Sequence, residues 1–142
     1  MRRVAIAGVG STVFGRFPDT LVEDLAAEAA WKALEDAQVE RSAVQAIYLG
    51  NFISGVLCGQ EVLAGVVANR LGLGPVPCTK MEGACASGGI AFRHAYLSEV
   101  EAFRNNYRRE CFQAGIDYVE LDTSMQFDKA LAGYLAGRKA RY

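Results

Sequence analysis

Residues 81–89 decide the fold, and they read Met-Glu-Gly-Ala-Cys-Ala-Ser-Gly-Gly. Before them, two prolines hold the chain extended into Cys78–Met81, a pattern that predicts a strand. The glycines and small residues that follow predict a sharp turn, and the apolar residues from Ile90 to Leu97 predict a helix. Cys85 is therefore expected where a strand enters a helix.

The chain before this turn alternates between strand and helix patterns. A short β-branched, apolar run is typical of a strand buried in a parallel sheet, and a capping box formed by Thr20 and Glu23 opens a wide, alanine-rich apolar stripe. The predicted elements are, in order, a strand at Val4–Val9, a helix from Thr20 to Gln38, a strand at Ala46–Leu49 and a helix from Glu61 to Leu71 that stops before Gly72. This βαβαβα order predicts the α/β class, with a mixed or parallel sheet and flanking helices.

The composition changes near Ser98, where small residues give way to a charged and aromatic stretch. We expect an amphipathic helix that Gly115 ends, then a strand at Asp117–Leu121 with alternating polar and apolar residues. Thr123 or Ser124 could open a last helix. Residues 98–142 are thus predicted to form a helix-strand-helix tail.

Composition and charge exclude several classes of protein. The chain has 142 residues, of which 51% are hydrophobic, and 15 Lys and Arg against 16 Asp and Glu give a net charge of -1. This balance speaks against nucleic-acid binding. No stretch has the length of a membrane span, and no secretory signal precedes Gly8. Four cysteines without paired spacing, Cys58, Cys78, Cys85 and Cys111, predict reduced thiols in a cytoplasmic protein with no metal site.

Gly8-Val9-Gly10 follows a predicted strand, as in a dinucleotide-binding loop. However, Val13 occupies the position of the third glycine, and no helix is predicted before about Thr20. We therefore interpret this segment as a simple turn.

Cys85 has the clearest chemical interpretation. The free amide groups at a helix start favour a nearby anion, so a cysteine at that point gains thiolate character and nucleophilicity. Gly83, Gly88 and Gly89 would permit a sharp turn and the close approach of a substrate. The alternative is that Cys85 is a small buried residue among small neighbours. Spacing alone leaves both interpretations open.

Residues 81–89 resemble the nucleophile segment of thiolases, in which Cys85 aligns with the cysteine that becomes acylated. The resemblance continues upstream through Val4 to Arg16, Gly50-Asn51, Gly55 and Leu57 to Gln60. It covers about residues 1–97 and is strongest to the sterol-carrier-type branch of acetyl-CoA acetyltransferases. It implies a thiolase-like domain in which a helix-start cysteine accepts an acyl group from a coenzyme A thioester, with no bound cofactor.

The resemblance also implies partners. Thiolases of this type form homodimers or larger homo-oligomers, and the loop from Asn51 to Gln60 approaches the neighbouring active site. Some bacterial relatives work beside a small OB-fold protein. No nucleic-acid or membrane partner is implied.

The thiolase mechanism needs a histidine and a second cysteine from the later half of the family's chain. The sole histidine here, His94, lies nine residues after Cys85 on the same predicted helix, or about 13 Å along its axis. This separation excludes a hydrogen bond to Cys85 and predicts an ordinary surface or interface residue. We expect a truncated thiolase half that is weak or inactive alone, or alternatively a non-catalytic binding or oligomerisation module.

The tail resembles a second family. Ala114 to Ser124, followed by Phe127 to Leu131, is similar to the carboxyl end of a von Willebrand A-related domain family of unknown function. The metal-binding turn of von Willebrand A domains is missing from the sequence, so the resemblance implies no metal site. The two resemblances together predict that the chain joins two incomplete domains. The alternatives for its origin are gene fusion, fragmentation, deliberate joining and an assembly error.

Overall fold

The computed structural model of the chain describes residues 4–120 and 126–139, which divide into two compact units with the boundary between Glu101 and Ala102. The elements in chain order are α1 (Val22–Ala37), β1 (Ile47–Gly50), α2 (Ser54–Cys58), α3 (Leu63–Arg70), β2 (Cys78–Met81), α4 (Ser87–Gln113) and α5 (Phe127–Lys139). Single 3₁₀ turns lie at Arg41–Ala43 and Ala84–Ala86. The predicted α/β class is confirmed.

A parallel pair of strands forms the sheet of the first unit. β1 and β2 run in register from the pair Ile47 and Cys78 to the pair Gly50 and Met81. The Asn51 N–H continues the ladder by donating to the Met81 carbonyl at 3.1 Å. Since both strands end at the same edge, the loops that follow them start side by side.

The core of the first unit lies between α1, α3 and the sheet. Leu63, Val67 and Leu71 are buried against Ala27 of α1. Trp31, Ile47 and Leu49 are among the partly buried residues that pack around them. Part of the apolar stripe predicted for α1, namely Val22, Ala26 and Ala30, packs around this core.

Four of the described helices end in the same motif, in which a left-handed residue reverses the chain. The φ values are 54° at Gln38, 65° at Gly59, 63° at Gly72 and 67° at Gly115. In each case the following N–H bonds back into the last turn, as when the Leu73 N–H donates to the Ala68 carbonyl at 3.1 Å. The predicted helix ends at Gly72 and Gly115 are confirmed.

The strand predicted at Val4–Val9 was wrong, because this segment has no strand conformation and is largely exposed. It lies along α1, where the Val9 N–H donates to Asp36 Oδ2 at 2.8 Å. A Cβ atom at Gly8 or Gly10 would overlap the α1 backbone. The glycines thus allow a direct approach to the helix, and the segment takes that contact in place of a strand ladder.

Further expectations also need correction. Leu21, not Thr20, precedes α1, with no capping bond from a side chain among the described residues. The Thr20 N–H donates instead to the Phe17 carbonyl, in a turn outside the helix. The helix predicted from Ile90 to Leu97 and the amphipathic helix predicted after Ser98 form one continuous helix, because α4 runs to Gln113 through residues that favour a helix.

The tail prediction is partly outside the described residues. Residues 117–120 are described and form no strand, which contradicts the strand predicted at Asp117–Leu121. Leu121, Thr123 and Ser124 lie outside the described residues. The last helix is present and spans Phe127–Lys139.

Candidate active site

Cys85 lies in the 3₁₀ turn Ala84–Ala86, which leads directly into α4 at Ser87. β2 ends four residues earlier, so the predicted arrangement of strand, turn and helix is present. The Cys85 side chain is exposed. A reagent in solution therefore has access to the sulfur, contrary to the alternative of a buried cysteine.

Ser87 is buried, and its hydroxyl group hydrogen-bonds to the backbone of this turn. Its Oγ accepts a hydrogen bond from the Gly83 N–H at 3.0 Å and donates one to the Ala84 carbonyl at 2.7 Å. The Ala86 N–H also donates to the Gly83 carbonyl at 2.9 Å. Ser87 is only 4% exposed, so water does not compete strongly for its hydroxyl.

Ala84 carries the unusual backbone of the turn. Its φ of 48° lies in the left-handed region, which costs an L-residue other than Gly or Asn roughly 1–2 kcal/mol. We expected the glycines to supply this freedom, but Gly83 has an extended φ of -169°. A Cβ at Gly83 would meet only Cδ1 of Ile90 closely, and this atom is the movable end of a flexible side chain, so a small shift of Ile90 could make room for it. No sequence signal marks Ala84.

The end of β1 supports the start of α4. A Cβ atom at Gly50 would overlap the carbonyl group of Ser87 and would lie 2.5 Å from the Gly88 nitrogen. On the other side, a Cβ at Gly88 or Gly89 would have no described atom within 4 Å. The first turn of α4 is thus packed against the sheet edge but has free space over its glycines.

A lysine cluster, defined as Lys80, Ser54, Glu61 and Glu82, lies at the same edge of the sheet. The Lys80 ammonium is 2.6 Å from Glu82 Oε1, 3.8 Å from Glu61 Oε2 and 3.4 Å from Ser54 Oγ. The Lys80 side chain is only 12% exposed, and Ser54 is buried. This cluster joins the loop after β1 to β2. Sequence reasoning missed it, although a lysine within a predicted strand is a usable signal.

The loop from Asn51 to Gln60 begins with a local cap and carries α2. Asn51 Oδ1 accepts a hydrogen bond from the Ser54 N–H at 2.8 Å. Large apolar side chains on this loop face solvent, among them Phe52, Val56 and Leu57.

The remaining candidate ligands and nucleophiles stay apart. His94 is exposed on α4, as expected, and the helix separates it from Cys85. Cys58 and Cys78 are exposed, whereas Cys111 is buried. Across residues 4–120 and 126–139, no three His, Cys, Asp or Glu side chains are grouped as metal ligands would be. No helix in the same part of the chain combines the length and the apolar character of a membrane span.

Comparison with known proteins identifies the family. The family model described as the thiolase N-terminal domain matches residues 4–100, which include both strands and the Cys85 turn. The chain belongs to the thiolase family.

Individual relatives agree with this assignment. The chain is 39% identical over 117 residues to an acetyl-CoA acetyltransferase of Methanothermobacter thermautotrophicus, covering 82% of this chain and 30% of the relative. It is 42% identical over 98 residues to an acetyl-CoA acetyltransferase of Methanocaldococcus jannaschii, covering 69% and 25%. It is also 37% identical over 92 residues to sterol carrier protein 2 of Gallus gallus, covering 63% and 16%. The chain thus spans less than a third of the length of these relatives.

Proposed function

We propose that Cys85 is the acyl-accepting nucleophile of a thiolase-type acyltransferase. The sulfur attacks the thioester carbonyl of an acyl-CoA, a carbon–sulfur bond forms to Cys85, and the bond to the coenzyme A sulfur breaks. The Cys85 proton goes to the departing coenzyme A thiolate, so the products are an acyl-cysteine and free coenzyme A. The observation that carries this proposal is the exposed thiol at the start of α4, within the segment matched by the family.

The second half of the proposed reaction passes the acyl group to an acyl-CoA carbanion or back to coenzyme A. This step needs acid and base groups close to the sulfur. His94, the sole histidine of the sequence, is nine residues along the helix and out of reach. We therefore expect the chain alone to form the acyl-cysteine slowly and to turn over weakly or not at all.

The test is incubation with acetyl-CoA followed by intact-mass and peptide analysis. We expect one acetyl group on Cys85, and none after Cys85→Ser. Cys58→Ser and Cys78→Ser are matched controls, because both thiols are also exposed, and both variants should still be acetylated. Acetylation that is equal on all exposed cysteines, or absent from Cys85, contradicts the nucleophile. Ordinary cleavage of acetoacetyl-CoA by the chain alone contradicts the weak turnover.

A second candidate function is a non-catalytic module that binds another copy of the chain. The exposed apolar side chains of the loop from Asn51 to Gln60 favour it. In this proposal the chain forms a homodimer or larger homo-oligomer through that loop, and a small OB-fold protein is a further candidate partner. The two functions differ in one result, since only the acyltransferase requires acetylation of Cys85.

Two further proposals concern the cellular compartment of the protein and the origin of the tail. We propose a cytoplasmic location, because the four cysteines lack the paired spacing of a disulfide framework. We also propose that residues 98–142 have a different origin from residues 1–97, on the basis of the sequence resemblance to the von Willebrand A-related family.

A further inference from the structure

We propose that Ser87 is a positioning residue for Cys85, acting through the turn that carries the sulfur. This inference rests on the proposed function of Cys85 and adds a second residue to that site. Ser87 does not need to touch the substrate. Its role is to hold the two residues before Cys85, so that the sulfur keeps one place at the start of α4.

The hydroxyl group of Ser87 is suited to this role because it uses its donor and its acceptor on the same turn. It accepts from the Gly83 N–H and donates to the Ala84 carbonyl, at 3.0 and 2.7 Å. These two groups lie on the residues that precede Cys85. A buried hydroxyl with both bonds made is strongly fixed, because its alternatives in the dry interior are unpaired polar groups.

Ala84 shows why the turn needs such support. An alanine with a φ of 48° returns to the right-handed region unless its surroundings hold it. Ala84 directly precedes Cys85, so a change of its backbone angles redirects the Cys85 side chain. The bond from Ser87 to the Ala84 carbonyl is the described side-chain contact that opposes this change.

Gly50, at the end of β1, lets the sheet support the backbone of Ser87. Its lack of a Cβ lets the end of β1 lie directly against the backbone of Ser87 and Gly88. The sheet therefore fixes the backbone position of Ser87. This keeps the Ser87 hydroxyl group within hydrogen-bond distance of the turn.

The experiment compares the full chain with Ser87→Ala and Ser87→Thr, the latter of which keeps the hydroxyl. Each protein is treated with limiting iodoacetamide, and the rate of alkylation at each cysteine is followed by mass spectrometry. Cys58 is the internal reference, because it is exposed at the end of α2. Cys111, which is buried in the second unit, reports on a general loss of structure, and circular dichroism of each variant reports on the folding of the first unit, which holds Ser87 and Cys85.

We expect the ratio of the Cys85 rate to the Cys58 rate to fall by about two- to fivefold in Ser87→Ala, the factor that a helix N-terminus contributes to an adjacent anion. Cys111 should stay protected, and Ser87→Thr should keep the wild-type ratio. A general loss of structure would instead raise the Cys111 rate and would not be restored by threonine. An unchanged ratio in Ser87→Ala with Cys111 protected overturns the proposal.

A second measurement needs no variant. Amide hydrogen exchange of the wild-type chain should show a protected Gly83 N–H, because this group donates to Ser87 Oγ. Exchange of the Gly83 amide at the rate of an unstructured peptide overturns the proposal even if Ser87→Ala does not fold. Neither measurement uses coenzyme A. A failure of acetylation at Cys85 therefore contradicts the proposed function alone, and a failure here contradicts only the role of Ser87.

Discussion

At the scale of single residues, the most specific prediction about packing concerns Gly10. A Cβ at Gly10 would overlap the Ala29 carbonyl oxygen and lie 2.5 Å from the Ala33 nitrogen, both in the backbone of α1. Because backbone atoms of a helix cannot move aside easily, Gly10→Ala should lower the free energy of unfolding by about 1–3 kcal/mol. Urea denaturation followed by circular dichroism measures this change.

Gly74→Ala is the matched control for Gly10→Ala. Among the described residues, no atom lies within 4 Å of a Cβ built at Gly74, and its φ is not in the left-handed region. We expect a change within about 0.5 kcal/mol. If the two alanine variants were equally stable, the contact between the amino-terminal segment and α1 would not exist in solution.

The residues of the site show what sequence reasoning reached and what it missed. The place of Cys85 between a strand and a helix followed from local patterns, because prolines, glycines and apolar spacing act over a few positions. The left-handed Ala84 and the two bonds of Ser87 depend on how the turn packs against Gly50, which is distant in sequence. Local patterns contain no information on that approach.

At the scale of elements, the lysine cluster joins β2 to the loop after β1. Lys80 is mostly buried and is 2.6 Å from Glu82 but 3.8 Å from Glu61. We expect Glu82→Gln to lower the free energy of unfolding by about 1 kcal/mol, because a poorly solvated ammonium loses its nearer carboxylate. Chemical denaturation at low ionic strength measures the loss.

Glu61→Gln is the control for this pair. Its carboxylate is farther from Lys80 and more exposed, so the substitution should cost about 0.3 kcal/mol or less. The reverse order of the two effects would show that the loop, rather than the strand end, provides the main counter-charge.

The helices and strands also show which parts of the fold follow from the local sequence and which depend on residues distant in sequence. α1 and α3 were predicted within a few residues, because their apolar stripes and their ends at Gln38 and Gly72 are local features. The strand expected at Val4–Val9 did not form, although its residues favour one. A strand needs a neighbouring strand to bond with, and that neighbour cannot be found from the segment's own composition.

At the scale of the whole molecule, the exposed apolar surface of the loop from Asn51 to Gln60 bears on the proposed self-association. Val56 is 84% exposed, and Phe52 and Leu57 are exposed beside it. We expect the chain to sediment as a dimer or larger species, and Val56→Asp to shift it towards the monomer, because a charge would then have to be desolvated in the contact. Analytical ultracentrifugation at several concentrations measures the shift.

Val13→Asp is the control for self-association. Val13 is 71% exposed and has the same side chain, but it lies on the amino-terminal segment outside the loop. This variant should keep the wild-type association state. Equal dissociation by both substitutions would point to a general hydrophobic contact rather than to the loop.

The short sheet of the first unit has a consequence for handling the protein. Within residues 4–120 and 126–139, β1 and β2 each have one strand neighbour, so each presents an outer edge without a paired strand. Such edges are templates for intermolecular β-sheet, and nucleation on them grows with concentration and time. Because β1 and β2 have only four residues each, association through these edges is expected to be weak, so light scattering of concentrated samples should fall back on dilution.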